Sequence, residues 1–313
     1  MRRRSQNCSY AVSALESRQL LSGGNVQATV VGGTLTITGD NIANELTIEQ
    51  SSEGLRIQTT GGTRLNGTTN GTLTFANPTQ TNIDLKGGND RLTLGDFLGA
   101  GVSVQMGSGN DQVNLNGIST DGDLEIDLGA GNDGLLSKSG GLGLSDPNVV
   151  GGNLRLVGGA GRDRLILTSL NALHNLTVDA GTDNDVVLLS TNSTNGIASV
   201  LLGSGNDIMS LSTTTSRGLF SLNAGTGDDL VSLQQCEFEQ PATFNMGAGK
   251  DALLSRDNLY LANVTQAGGT GSDTLFSSLD SFSADRSVTS FEILPTSTTQ
   301  IQSLLAKLAT TFE

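Results

Sequence analysis

Gly203-Ser204-Gly205-Asn206-Asp207-Ile208-Met209-Ser210-Leu211 is the stretch from which the fold is read. Its pattern, Gly-x-Gly-x-Asp followed by alternating apolar residues, returns along the chain. The aspartate stands at Asp90, Asp111, Asp133, Asp163, Asp185, Asp207, Asp229, Asp251 and Asp273. The first step between them is 21 residues and the others 22, save one of 30 from Asp133 to Asp163. That step holds eight extra residues near Ser137–Gly152, which read as a loop that leaves the register intact. A constant period of this size marks a stack of repeats, each one supersecondary unit.

The columns of the repeat supply the physics. Two residues past each aspartate stand Leu92, Val113, Leu135, Leu165, Val187, Met209, Val231, Leu253 and Leu275, without exception apolar. Further on come the pairs Leu124/Ile126, Leu154/Leu156, Leu176/Val178, Ala198/Val200 and Phe220/Leu222. Apolar residues spaced by two share one face of a strand. Each repeat therefore predicts two or three short strands with inward faces, joined through a glycine turn that favours positive φ. Lys86 and Asp183 stand where two of these glycines would be. One repeat cannot bury its own apolar face, whereas stacked repeats can. The expectation is an all-β, right-handed parallel β-helix or β-roll of about 22 residues per coil. Nine to eleven coils at ~4.8 Å would make a rod roughly 45–55 Å long.

The flanks divide the chain further. Residues 1–24 are basic at their start and lack the apolar core of a secretory signal. Residues 25–85 alternate apolar and polar in short runs around Gly32-Gly33, Gly61-Gly62, Asn66-Gly67 and Asn70-Gly71. They predict either hairpins or imperfect first coils that cap the amino end. Residues 86–294 are the repeats. Beyond Pro295, Ser297 and Gln300 read as a capping box, and Ile301, Leu304, Leu305 and Leu308 share one helical face. Residues 295–313 therefore predict a short amphipathic helix over the carboxyl end of the core.

Composition narrows the function. The formal charge is −14; without Arg2, Arg3, Arg4, Arg18 and Glu16 the remainder has 13 basic and 30 acidic residues. That balance argues against nucleic acid and favours association with cations. No run reaches the ~18 apolar residues of a membrane span. Cys8 and Cys236 are too few and too distant in sequence for a disulfide framework or metal cluster. His174, the one histidine, reads as a solvated turn residue, and Arg162 and Arg164 beside Asp163 as surface ion-pair partners. There is no tryptophan, and the one long insertion carries only Lys138 and Asp146 as charged groups. The chain thus reads as a structural or adhesive protein, with no catalytic residues assigned. The alternative, a polysaccharide lyase or hydrolase on a β-helix, rests on fold analogy alone.

Stacking in register lines up nine aspartates, one per coil. Carboxylates ~5 Å apart repel by roughly 0.8 kcal/mol even in water, so something must offset them. Two readings stay open at this point. A calcium ion between successive turns would take carboxylate and glycine carbonyl oxygens. Alternatively, each aspartate accepts backbone N–H bonds, and the adjacent Asn89, Asn110, Asn132, Asn184 and Asn206 form a ladder that holds the stack without metal.

Two resemblances bear on this choice. Met106-Gly107-Ser108-Gly109-Asn110-Asp111-Gln112-Val113-Asn114 resembles the nonapeptide of RTX, or haemolysin-type, calcium-binding repeats. That family has two such turns per coil; this chain keeps one and replaces the other with about 13 residues of different composition. The resemblance implies a row of calcium sites at the nine aspartates, with neighbouring glycines such as Gly107, Gly109, Gly129, Gly131, Gly203, Gly205, Gly225 and Gly227. Arg162 and Lys250 place a competing positive charge beside two of those acids. Leu15-Glu16-Ser17-Arg18-Gln19-Leu20-Leu21-Ser22 resembles the LEPR-XLL motif of exported planctomycete-type proteins, with Ser17 where that motif has proline. It implies export, to an extracellular or cell-surface location. The partner expected there is a surface polysaccharide or a protein, which no pattern in the chain specifies. Oligomeric state is not readable from the pattern.

Overall fold

The computed structural model of the protein describes residues 23–97, 99, 101–138, 148–292, 302–304, 306–307, 310 and 311. The export-like segment up to Ser22, Asp146 in the insertion, and Pro295 lie outside the described residues. The chain winds as a parallel β-solenoid of about 9 turns with ~22 residues per coil. Each coil is built alike. After the turn at 203–207 come a long strand, Ile208–Ser212, a two-residue strand, Thr215–Ser216, and a third strand, Phe220–Asn223. Each pairs in parallel with its counterpart one repeat on, as in Met209↔Val231, Ser216↔Phe238 and Leu222↔Phe244. The third strands form one face of the rod, within a 14-stranded sheet that also takes in Asn25–Val31, Arg64–Leu65 and Thr68–Thr69.

Alternation along the strands fills the interior. Met209 and Leu211 from the long strand and Phe220 and Leu222 from the third point inward and are buried, and their equivalents do the same in coil after coil. Burying each such side chain contributes roughly 1.5–3 kcal/mol. A further inward column precedes the turn: Leu85, Met106, Leu128, Ala180, Leu202, Ala224 and Met246, all fully buried. Toward the carboxyl end the interior becomes aromatic. Phe238, Tyr260 and Phe282 stack face to face at 5.1 and 5.0 Å, with Phe220 and Phe244 packed against Phe238.

The second corner of the coil has a backbone signature. Asp96, Ser169, Thr191, Thr213, Gln235, Asp257 and Leu279 all adopt φ between 49° and 60°. The residue that follows is held by a side-chain ladder: Asn192 Oδ1 accepts the Leu170 N–H at 2.8 Å, and its Nδ2 donates to the Leu167 carbonyl at 3.1 Å. Asn258 repeats this with Cys236 and Leu233.

Residues 25–85 combine a first coil with antiparallel hairpins. Thr34–Thr38 and Glu45–Ser51 run parallel to Gln80–Asp84 and Arg91–Phe97 and so form the first coil. Asn25–Val31, Gly54–Thr59 and Thr72–Phe75 then pair antiparallel outside them. Gly32-Gly33 and Asn66-Gly67 make tight turns with φ positive at both residues, the conformation that two-residue hairpin loops favour.

The carboxyl-terminal helix differs from expectation. Its described residues lie on the flank of the rod. Leu304 packs against the cluster of Leu230, Ala252 and Leu254, which Ile208 and Phe276 also flank, and the Arg164 guanidinium donates to the Thr311 carbonyl at 2.8 Å. The physical reason is an apolar stripe at outward positions of the long strands, where other coils carry Arg91, Gln112 or Thr274.

Candidate functional site

The aspartate row forms as the repeat predicts, and its geometry follows from the turn that carries it. The glycines around each aspartate are set by how closely successive turns stack. A β-carbon on Gly129 would lie 2.0 Å from the Gly107 carbonyl oxygen, and one on Gly131 would lie 1.7 Å from that of Gly109. On Gly203 and Gly205 it would lie 1.9 Å from the carbonyl oxygens of Gly181 and Asp183, and on Gly225 and Gly227 at 1.9 and 1.7 Å from those of Gly203 and Gly205. Lys86 and Asp183 occupy their glycine positions with φ of 77° and 78°.

This close approach delivers the aspartates to the interior. All nine are between 0% and 3% exposed. Oδ1 of each accepts a backbone N–H from the coil before: Asp207 takes that of Asp185, Asp229 that of Asp207, and Asp90 at the head of the row that of Asn44. The nine distances run from 2.6 to 3.0 Å. The neighbouring asparagines bond the opposite way. Asn89 Oδ1 accepts the Asn110 N–H and Asn110 that of Asn132, each at 2.8 Å, and Asn206 that of Asp228 at 2.7 Å. Arg162 and Lys250 join this outer ladder only through their backbone N–H groups. The aspartate ladder therefore joins each of these coils to the next, and the outer ladder reinforces it in the opposite direction except after Arg162 and Lys250, whose side chains carry no acceptor oxygen.

The second carboxylate oxygen is different. In all nine aspartates Oδ2 is buried without a hydrogen-bond partner. A β-carbon on Gly158 would lie 2.8 Å from Asp163 Oδ2, and one on Gly268 equally close to that of Asp273. In the other coils that place is taken by the inward column of Leu85, Met106, Leu128, Ala180, Leu202, Ala224 and Met246, so Oδ2 faces carbon. Burial raises the carboxyl pKa from 3.8 to about 6 at Asp163, Asp207 and Asp251, about 7 at Asp90 and Asp133, and about 8 at Asp185 and Asp229. Asp111 is raised by the same cause. The accepted N–H opposes the shift at each of them; at Asp185 and Asp229 charged neighbours add to it.

These residues do not fit the calcium cage implied by the RTX resemblance. Calcium takes six to eight oxygen ligands. One oxygen of each aspartate is engaged by an N–H and the other is buried with no further oxygen group converging on it among the described residues. The carbonyls of Gly107, Gly203 and Gly225 accept the N–H groups of Ala130, Thr226 and Ala248 at 2.8–3.0 Å, and those of Gly109 and Gly205 face the Cα of the next turn. Among the described residues no three acidic, histidine or cysteine side chains converge.

The remaining sequence candidates separate. Asp163 faces inward while Arg164 faces out toward Thr311, so the expected ion pair between them is not made; strand alternation puts neighbours on opposite faces. His174 is exposed, with Nδ1 2.7 Å from the Gly151 carbonyl oxygen. Two surface hollows lie elsewhere. One of about 270 Å³ is lined by Gln234, Leu254, Arg256, Phe276 and Leu279 and, among the described residues, holds no carboxylate. Another of about 350 Å³ includes Gln80, Asp123 and Glu125. Asp123 there accepts two bonds from Asn153 and Glu125 pairs with Arg155, so both serve the stack. No family model, curated protein or solved structure matches this chain.

Proposed function

We propose that the protein is an exported or cell-surface β-solenoid with a structural or adhesive role and no catalytic activity. Its partner would be a surface polysaccharide or another protein. One observation supports this reading above the others: the repeated acid of the motif is spent inside the rod. All nine aspartates are buried and bonded to the preceding coil, so the motif works as a stacking device and leaves no acid–base pair on the surface. Export is supported by the Leu15–Ser22 resemblance.

Titration of calcium into the chelated full-length protein, read by calorimetry and thermal unfolding together, tests the proposal. The expected result is no saturable heat and no rise in Tm. Uptake at several sites with a large rise in Tm would overturn the stacking role of the aspartates that carries this reading and restore the RTX-like one, since a ligand bound only to the native state stabilises it by RT ln(1 + [L]/Kd).

A further inference from the structure

The two ends of the rod are finished differently. The amino end carries antiparallel hairpins. At the carboxyl end Thr274–Ser278, Ser281–Phe282 and Arg286–Thr289 each pair on one side only among the described residues. Arg286–Thr289 is exposed along its whole length, with its inward-facing Val288 43% exposed, while Phe291 just beyond it packs against the core. Such an edge is a template for another strand. Its inward columns, which run Val264→Arg286 and Gln266→Val288, continue the register of every earlier coil, so the chain that fits them is one built like this one.

Two residues break the pattern at that edge. Arg286 stands in the inward column filled earlier by Leu176, Ala198, Phe220, Ala242 and Val264. Its guanidinium lies 4.7 Å over the Phe282 ring, closing the aromatic stack, and Nε and Nη2 donate to Gln266 Oε1 at 3.0 and 2.7 Å. Gln266 is itself fully buried in a column that otherwise holds Val178, Val200, Leu222 and Phe244. An inward-pointing charge at an edge is a device by which sheets resist further pairing.

We propose that Arg286, anchored by Gln266, is a stop that keeps the open carboxyl edge from pairing with the same edge of a second copy. Isologous pairing would bring two Arg286–Thr289 strands together about a twofold axis. Both guanidiniums would then enter an apolar interior with no carboxylate among the described side chains bonded to them. An unpaired buried charge costs more than a four-residue strand pair returns. The Arg286–Thr289 strand therefore stays unpaired with that of a second copy. The proposal stands apart from export and calcium, because it rests only on the edge.

The test compares the full-length wild type with Arg286→Val and Arg286→Lys by analytical ultracentrifugation and by hydrogen exchange across residues 286–289. Wild type and Arg286→Lys are expected to sediment as monomers with fast exchange at the outward amides of this strand. Arg286→Val, which restores the Val264 column, is expected to double in mass and slow that exchange. If circular dichroism shows Arg286→Val unfolded, Arg286→Gln replaces it with the same expectation. A folded, monomeric uncharged variant would overturn the proposal. So would a dimer without protection at 286–289, protection of those amides in wild type, or dimerisation of Arg286→Lys.

Discussion

Replacing Asp207 by asparagine isolates what one rung of the aspartate row contributes. Asp207 Oδ1 accepts the Asp185 N–H at 2.8 Å, and an amide oxygen can keep that bond. Its Oδ2 is buried without a partner, and burial raises the carboxyl pKa from 3.8 to about 6, opposed by the bond from Asp185. A group whose folded pKa lies above its unfolded value stabilises the fold while protonated. Its contribution is complete below pH 3.8, declines as pH rises, and is lost above about 6. About two units at 1.36 kcal/mol each make this about 3 kcal/mol. Asparagine stays neutral throughout. Asp207→Asn should therefore match wild type within about 1 kcal/mol at pH 4 and exceed it by up to about 3 kcal/mol at pH 8. Removing the charge should also lower the pKa of Asp185 and Asp229, both of which Asp207 pushes up. Urea unfolding followed by far-UV circular dichroism, at both pH values and with unchanged m, provides the measurement. Equal destabilisation of the variant at both pH values would refute the reasoning. So would a wild type more stable at pH 8 than at pH 4.

The glycine columns and the second corner yield two further expectations. Gly227→Ala, with φ of 123° and a β-carbon 1.7 Å from the Gly205 carbonyl oxygen, should cost more than about 3 kcal/mol in urea, as left-handed strain and steric overlap combine. Gly67→Ala, at φ of 86° with nothing within 4 Å, should cost only about 1–2 kcal/mol, and equal losses at the two sites would sink the stacking argument. Thr213→Asn should raise Tm, because exposed Thr213 holds φ of 49°, which asparagine tolerates and a β-branched residue does not; a gain of about 0.5–1 kcal/mol is expected.

Legibility followed periodicity. The columns of Leu92 to Leu275 and Leu124/Ile126 to Phe220/Leu222 were readable because an inward face repeats its chemistry in every coil. The column from Leu85 to Met246 was harder to see, since two of its members are Gly158 and Gly268, and small residues read as part of the turn. The second corner left almost no trace. Its left-handed position holds Asp, Ser, Thr, Gln and Leu, because the constraint there is on backbone angle and the side chain points to solvent. The flank position of the helix depended on outward residues such as Leu230 and Leu254, which look like ordinary strand residues until the inward set is removed.

The repeat alone determined that the chain stacks, how many residues each coil takes and that one aspartate per coil lines up, because these depend only on spacing and on the hydrophobic face. It did not determine what the aspartates do. A carboxylate after a glycine turn serves a cation or a backbone N–H equally well, and the choice depends on where its two oxygens point once a neighbouring coil is in place. Only the tertiary structure sets each Oδ1 on the N–H of the coil before and buries each Oδ2 without a partner. The same holds for Arg286: in sequence it is one more surface charge, and only its register opposite Val264 turns it inward at the end of the rod.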